Sequence, residues 1–231
     1  MKTLSENLIH ELNCETVFTL PILGGIEVNE STVVTWGIIL VLAIVSYLLT
    51  RNLKVENPGK IQLFLEFGVS WIYNIFEDIL GRENRRYIPY LMTVLIYLTV
   101  SNTIVPYLGF KPPTKDLNVT AALALMSMVL IEFSALHQKG IKGWAKDLAQ
   151  PTAIVLPMNI MEIFIRPLSL CMRLFGNILG AFVVMELIKI AVPLLVPLPF
   201  SFYFDIFDGI LQAYIFVFLT AIFINEKGEL S

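Results

Sequence analysis

Charged residues are scarce in this chain, and their scarcity sets its class. Of its 231 residues only 15% are Asp, Glu, Lys or Arg, whereas 56% are hydrophobic. A typical soluble domain carries about 25% charged residues. The mean hydropathy of +0.74 agrees with this composition. The sequence therefore predicts a protein with several membrane-spanning segments.

Cysteine and basic charge are also lacking. Only two cysteines occur, Cys14 and Cys171, and the second lies in a hydrophobic segment, so no disulfide framework is expected. The net charge of −3 argues against a nucleic-acid partner. The first 31 residues contain five glutamates but only Lys2 as a base. That pattern is wrong for a secretory signal peptide, so no cleavage is expected.

Apolar runs of about 20 residues, the length that crosses a bilayer as a helix, recur along the chain. They predict an all-α, polytopic membrane protein with about five crossings, built as a single integral-membrane domain, residues 1–231. Residues 1–31 are expected on the outer side. The spans, of which the last two form a tilted helical hairpin, are predicted at 32–50, 87–110, 117–138, 151–196 and 200–225.

Residues 58–83 are apolar but carry a regular polar stripe. Its members recur every three or four residues, at Gln62, Glu66, Ser70, Asn74 and Glu77. This spacing places them on one face of a helix. It predicts an amphipathic helix along the cytoplasmic membrane surface. The alternative is a helical hairpin that dips into the bilayer.

The distribution of basic residues predicts the orientation in the membrane. They fall between the first two spans, after the third span and after the last, at Arg51, Lys54, Lys60, Arg82, Arg85, Arg86, Lys139, Lys142, Lys146 and Lys227. Because cytoplasmic loops are enriched in Lys and Arg, the N-terminus is expected outside and the C-terminus in the cytoplasm. Lys111 and Lys115, after the second span, oppose this bias.

Polar side chains follow one face of the fourth predicted span. They are Asn159, Glu162, Arg166, Ser169, Arg173 and Asn177, and Gly180 lies on the same face. An arginine stays protonated at physiological pH, and placing it at mid-bilayer costs roughly 2.5–3.5 kcal/mol. Glu162 and Arg166, spaced i and i+4, can form a plain intrahelical pair. Arg173 is then left without a local counter-ion, so we expect its partner on another helix or another chain. A structural anchor paired to a buried acid is the alternative.

The last predicted span carries a second polar stripe. Ser201, Asp205, Asp208 and Gln212 are spaced by four, three and four residues. Intramembrane carboxyl groups can hold or relay a proton. The stripe predicts an aqueous entry route from the outside that stops near the level of Arg173. A simple cap at the level of the lipid headgroups is the alternative for Asp205.

Three segments resemble the a subunit of the F-type ATP synthase membrane sector. They are DLNVTAALAL at 116–125, SLCMRLFGN at 169–177 and LQAYIFVFLT at 211–220. The resemblance implies a stator for proton-driven rotation, in a multi-pass protein of the bacterial plasma membrane. The implied partners are the ring of c subunits, the peripheral-stalk b subunits, the remaining synthase subunits and the lipid bilayer.

In this family the two long C-terminal helices pack on the c-ring, and two offset aqueous half-channels reach the ring from opposite sides. The essential arginine, here Arg173, faces the ring carboxylates. Asn177 and Gln212 match the polar neighbours of that arginine. Ser169 matches a position associated with the inner half-channel.

The family pattern is incomplete on the outer side. Asp205 falls where some members carry a histidine, whereas the partner position, often Glu, is Phe182 here. We hypothesise that Asp205 and Asp208 replace that pair. On the inner side, Asn159 and Glu162 both lie on the appropriate face, and either is a candidate for the inner route.

Several classes of chemistry find no motif in this sequence. There is no phosphate-binding loop, no HExxH and no GxSxG. The chain is therefore not expected to be an enzyme on its own, and no cofactor or metal is predicted. The coupling ion is H⁺ or Na⁺. An independent ion-coupled transporter, with Arg173 binding an anionic substrate, is the alternative function.

Overall fold

A computed structural model describes residues 16–20, 26–54, 58–148, 153–191 and 197–229. Within this part of the chain we number the six main helices in sequence order. They are α1 Glu30–Thr50, α2 Lys60–Leu80, α3 Ile88–Thr99, α4 Leu117–Leu148, α5 Leu156–Ala191 and α6 Gly209–Glu229. A π-helical turn, Val100–Ile104, extends α3 to Val105–Tyr107. A helical turn, Pro197–Phe202, and a second π-helical turn, Tyr203–Asp208, lead into α6.

Five helical segments are long and apolar enough to cross a membrane. They are Glu30–Thr50, Arg85–Tyr107, Leu117–Trp144, Leu156–Met185 and Pro199–Gly228. Each overlaps one of the five predicted spans. The prediction of an all-α polytopic membrane protein with about five crossings is therefore confirmed.

A short β-hairpin precedes the first span, and the sequence did not predict it. Its strands, β1 Thr16–Leu20 and β2 Ile26–Asn29, pair antiparallel, and β2 runs directly into α1. The Asn29 amide donates a hydrogen bond of 3.4 Å to the Asp116 carboxylate at the start of α4. Residues 1–15 and 21–25 of the predicted N-terminal segment lie outside the described residues.

The amphipathic segment predicted at 58–83 forms α2. The helix ends where Gly81 takes a positive φ of 71°, a conformation that glycine adopts without steric cost. The stripe residues Glu66, Ser70 and Asn74 are exposed. The last turns of α2 bury their apolar side against α6. The position of α2 at the membrane surface stays a prediction.

The core lies around α6, which packs against α2, α3 and α4, while α5 packs along α4. Its fully buried large side chains include Phe76, Leu80, Ile88, Leu91, Leu98, Leu170, Leu174, Phe216 and Ile224. The first helix contributes little, since only Ser31 and Ile38 are buried in α1. The compact unit is therefore the C-terminal end of α2 together with α3 to α6.

Two predicted span ends can be set beside the helices. The third span was predicted to end at residue 138; its helix is broken at Gly140, whose φ is 68°, and a second helical segment then continues to Leu148. Beyond the break, the Trp144 indole donates a hydrogen bond of 2.7 Å to Glu132. In the segment predicted at 151–196, α5 begins at Leu156, and residues 192–196 lie outside the described residues.

Candidate functional site

Arg173 lies on the open side of α5. Its neighbours Leu170 and Leu174 are buried against the rest of the bundle, whereas Arg173 itself is exposed. No carboxylate in the described part of the chain forms an ion pair with its guanidinium. The fixed positive charge therefore has no counter-ion among the described residues.

Two glycines leave open space beside Arg173. Gly176 and Gly180 follow it on the same side of α5, and a Cβ atom built at either position would have no neighbour within 4 Å. Ser169, one turn before Arg173, is also exposed. Small side chains let the backbone of another helix approach closely. This face of α5 can therefore accept a neighbouring helix right beside the guanidinium.

Arg166 lies two turns before Arg173 and has a different environment. Only 9% of its side chain is exposed. Its Nη2 lies 2.7 Å from Glu162 Oε1 and 3.1 Å from Glu226 Oε2, and its guanidinium carbon lies 4.5 Å from the ring centre of Phe223. The intrahelical pair with Glu162 is therefore present, and a second carboxylate, from α6, completes it.

A second polar contact joins α5 to the last span on the other side of Arg173. The Asn177 amide donates a hydrogen bond to the carboxylate of Asp208. Asp208 is the last residue of the π-helical turn before α6. Gln212 lies one turn further along α6, and its Oε1 is buried with no hydrogen-bond partner among the described residues. Three of the predicted site residues, Asn177, Asp208 and Gln212, thus lie close to one another.

Asp208 and Gln212 border a partly open cavity of about 280 Å³ between α5, the π-helical turn after α3 and the π-helical turn before α6. The cavity can hold several water molecules. Its polar lining is Asn102, Lys115, Ser201, Asp208 and Gln212. The buried amide nitrogen of Asn102 also has no hydrogen-bond partner within the described structure. Water in this cavity would satisfy both orphaned amide groups.

The remaining predicted outer residue, Asp205, belongs to the same π-helical turn, but its side chain lies outside the described part of the structure. At the position where the family often carries a carboxylate, the Phe182 ring lies beneath the Lys115 ammonium, 4.7 Å from nitrogen to ring centre. This cation–π contact brings a basic residue to the wall of the cavity.

The candidate inner residues are spread along α5. Glu162, about half exposed, holds Arg166. Asn159 is half-buried and donates a hydrogen bond of 3.0 Å to the Leu148 carbonyl at the end of α4. The structure therefore places Asn159 in a contact between α5 and α4.

Sequence reasoning missed Glu226, Asn102 and the cavity role of Lys115. Glu226 lies just beyond the predicted end of the last span, and nothing local links it to Arg166, which is 60 residues away. Asn102 lies inside a predicted span without a charge to draw attention to it. The only sequence signal for Lys115 was that it lies in a loop expected on the outer side, whereas most basic residues lie in loops expected in the cytoplasm.

Comparison with known proteins adds the family. Residues 32–225 match the family described as ATP synthase A chain. A protein from Moorella thermoacetica, named ATP synthase subunit a, is 34% identical over 87% of this chain and 92% of its own length. ATP synthase subunit a 1 from Hahella chejuensis is 37% identical over 87% of this chain and 85% of its own length. ATP synthase subunit a from Albidiferax ferrireducens is 33% identical over 87% of each chain. The chain therefore belongs to the ATP synthase A chain family.

Proposed function

We propose that this chain is the membrane stator of an F-type ATP synthase, which couples proton flow to rotation of a ring of c subunits. Its family supports the coarse statement that it is an integral, multi-pass membrane component of ATP synthase. The single observation that carries the finer proposal is the exposed guanidinium of Arg173 on a glycine-lined helix face, where it has no ion-pair partner within the described residues.

Arg173 would face the carboxylates of the ring. An exposed cation on an apolar transmembrane surface is expensive unless a partner supplies negative charge. A passing ring carboxylate that has lost its proton would supply this charge. Because an arginine cannot be deprotonated at physiological pH, it would also block direct proton transfer between the two access routes.

The outer access route would be the cavity that contains Asp208. This carboxylate can receive a proton from water in the cavity, and it is connected to α5 through Asn177. Gln212, with its buried unpaired oxygen, would orient the last water molecules before the ring. Asp205 is the second candidate acid of this route.

The inner access route would lie near Glu162 and Ser169. Both side chains are exposed on the open side of α5, on the side of Arg173 opposite to Asn177. A proton released by a ring carboxylate would pass along this face to the cytoplasm. The c-ring and the peripheral-stalk b subunits would be the neighbours of the chain in the bilayer.

Replacing Arg173 tests this proposal. In membranes that contain the assembled complex, Arg173→Ala is expected to abolish ATP-driven proton pumping, because no fixed charge then faces the ring. Arg173→Lys is expected to pump poorly, since a lysine can lose its charge in a low-dielectric site. Arg82→Ala, which changes an exposed arginine before α3, is the matched control. Normal pumping by Arg173→Ala in an assembled complex would overturn the proposal.

A further inference from the structure

Arg166 and Arg173 lie on nearly the same line of α5, yet one is buried and the other is exposed. Seven residues fall within about 20° of two full helical turns, so the two side chains leave the helix in similar directions. Arg166 is 9% exposed because Glu226 and Phe223 of α6 cover it. The α6 helix thus covers one end of this line and leaves Arg173 open.

The cover on Arg166 consists of specific contacts. Glu162 Oε1 accepts from both Nε, at 3.1 Å, and Nη2, at 2.7 Å, whereas Glu226 Oε2 accepts from Nη2 at 3.1 Å. A buried guanidinium is costly unless it is paired and hydrogen-bonded. Its remaining nitrogen, Nη1, is buried without a partner among the described residues. Loss of either carboxylate would therefore leave a poorly compensated charge.

The two carboxylates are not equivalent. Glu162 lies one turn from Arg166 on the same helix, so their pairing cannot fix α5 against any other element. Glu226 lies on α6, and its bond to Arg166 joins the two helices. On the other side of Arg173, the Asn177–Asp208 hydrogen bond joins α5 to the turn that precedes α6. Arg173 lies between these two joints, about 10 Å from Arg166 and about 6 Å from Asn177 along the helix axis.

We propose that Glu226 is a positioning residue for ion translocation. By holding Arg166 against α6, it fixes the rotation of α5 about its own axis and so keeps Arg173 pointing away from the bundle. The inference rests on the proposed role of Arg173. Glu226 itself does not touch the translocated ion.

The first test is Glu226→Gln in the assembled complex, measured as ATP-driven proton pumping per assembled complex. Misplacement of a functional group by about 1 Å can cost up to about a hundredfold in rate. We expect a loss on the order of tenfold, and a smaller loss for Glu226→Asp, which keeps the carboxylate. A merely structural role would lower the amount of assembled complex and leave the normalised rate unchanged.

The matched control is Glu132→Gln. Glu132 pairs with Lys227 of the same turn of α6, at 3.7 Å, but joins it to α4 and not to α5. It is expected to pump at nearly the normal normalised rate. Equal losses of normalised pumping for Glu132→Gln and Glu226→Gln would contradict the proposal. Any weakening of the last turns of α6 would then be enough to reduce pumping, whether or not the link to Arg166 is broken.

A charge exchange tests the link to Arg166 directly. Arg166→Glu and Glu226→Arg are each expected to reduce normalised pumping, whereas the two together restore an inter-helix pair and recover most of it. No recovery in an assembled double variant would overturn the proposal. Failure of all the Glu226 variants to assemble would also overturn it, in favour of a folding role. If Arg173→Ala pumps normally, the proposed function fails, whereas normal pumping by Glu226→Gln rejects only the positioning role.

Discussion

Two arginines of α5 have contrasting surroundings. Arg166 is enclosed by two carboxylates and an aromatic ring, so its charge is balanced within the chain. Arg173 has no such neighbours among the described residues, and its charge is available to a partner. The absence of a local acid around Arg173 was visible in the sequence. The pairing of Arg166 with Glu226 was not, because helix periodicity carries no information about contacts between helices.

Also at the scale of single residues, the acid of the outer route can be identified by exchange with asparagine. From the family position, the sequence predicts that Asp205→Asn slows proton flux more than Asp208→Asn, whereas the cavity lining and the contact with Asn177 favour Asp208. We predict that Asp208→Asn slows passive proton flux into vesicles more than Asp205→Asn. The loss is expected to be on the order of tenfold to a hundredfold, because an asparagine cannot carry a proton.

The exposed acid Asp78 of α2 provides the control for this experiment. Asp78→Asn should leave passive flux unchanged at equal amounts of chain. A stronger effect of Asp205→Asn would assign the outer route to Asp205 and leave Asp208 as a hydrogen-bond partner of Asn177.

At the scale of elements, two π-helical turns meet beside the cavity. One, Val100–Ile104, directly follows α3 and contains Asn102, and the other precedes α6 and contains Asp208. A π-helical turn inserts one extra residue and thereby shifts which side chains face a neighbouring helix; such turns are frequent at functional sites. Here both turns bring polar groups to the lining of a single cavity.

Gly209, directly after the second π-helical turn, allows the two π-helical turns to approach each other closely. A Cβ atom at this position would lie 3.2 Å from both the carbonyl oxygen and the Cβ of Asn102. We predict that Gly209→Val destabilises the protein by about 1–3 kcal/mol through overpacking. The loss should appear as a lower thermal midpoint of the purified protein.

Gly68→Val is the comparison for Gly209→Val, since a Cβ atom at Gly68 of α2 has no neighbour within 4 Å. Valine in place of glycine is slightly favourable in a helix, so this variant should match or exceed the parent in stability. If both variants behave alike, the close contact at Gly209 has no energetic importance.

Elements were predictable from the sequence where a single apolar run defined them. The span predicted at 32–50 corresponds to the helix Glu30–Thr50, because the polar residues that flank this span end its hydrophobic run. The second helical segment of α4, beyond the break at Gly140, was not predicted, because the lysines after residue 138 end the apolar run. The π-helical turns were also missed, because their backbone pattern has no clear signature in side-chain periodicity.

At the scale of the whole molecule, the described chain combines one shared core with large exposed apolar surfaces. The end of α2 and helices α3 to α6 share a core, whereas much of α5, including Phe164, Leu168 and Met172, stays exposed. An apolar surface of this kind requires lipid or a partner protein. The exposed face of α5 also carries Arg173, so in the proposed function the partner that covers this face also meets the guanidinium.

The whole molecule also has a predicted orientation, which thiol labelling can measure. Both native cysteines are first replaced, by Cys14→Ser and Cys171→Ser. A single cysteine is then introduced either by Arg82→Cys, in the loop before α3, or by Lys111→Cys, in the loop after the helical turn Val105–Tyr107. Because the basic loops are expected in the cytoplasm, an impermeant thiol reagent added to intact cells should label only the Lys111→Cys protein. The Arg82→Cys protein should react after permeabilisation. Labelling of the Arg82→Cys protein in intact cells would show that the chain has the opposite orientation in the membrane. The cavity beside Asp208 would then open to the cytoplasm.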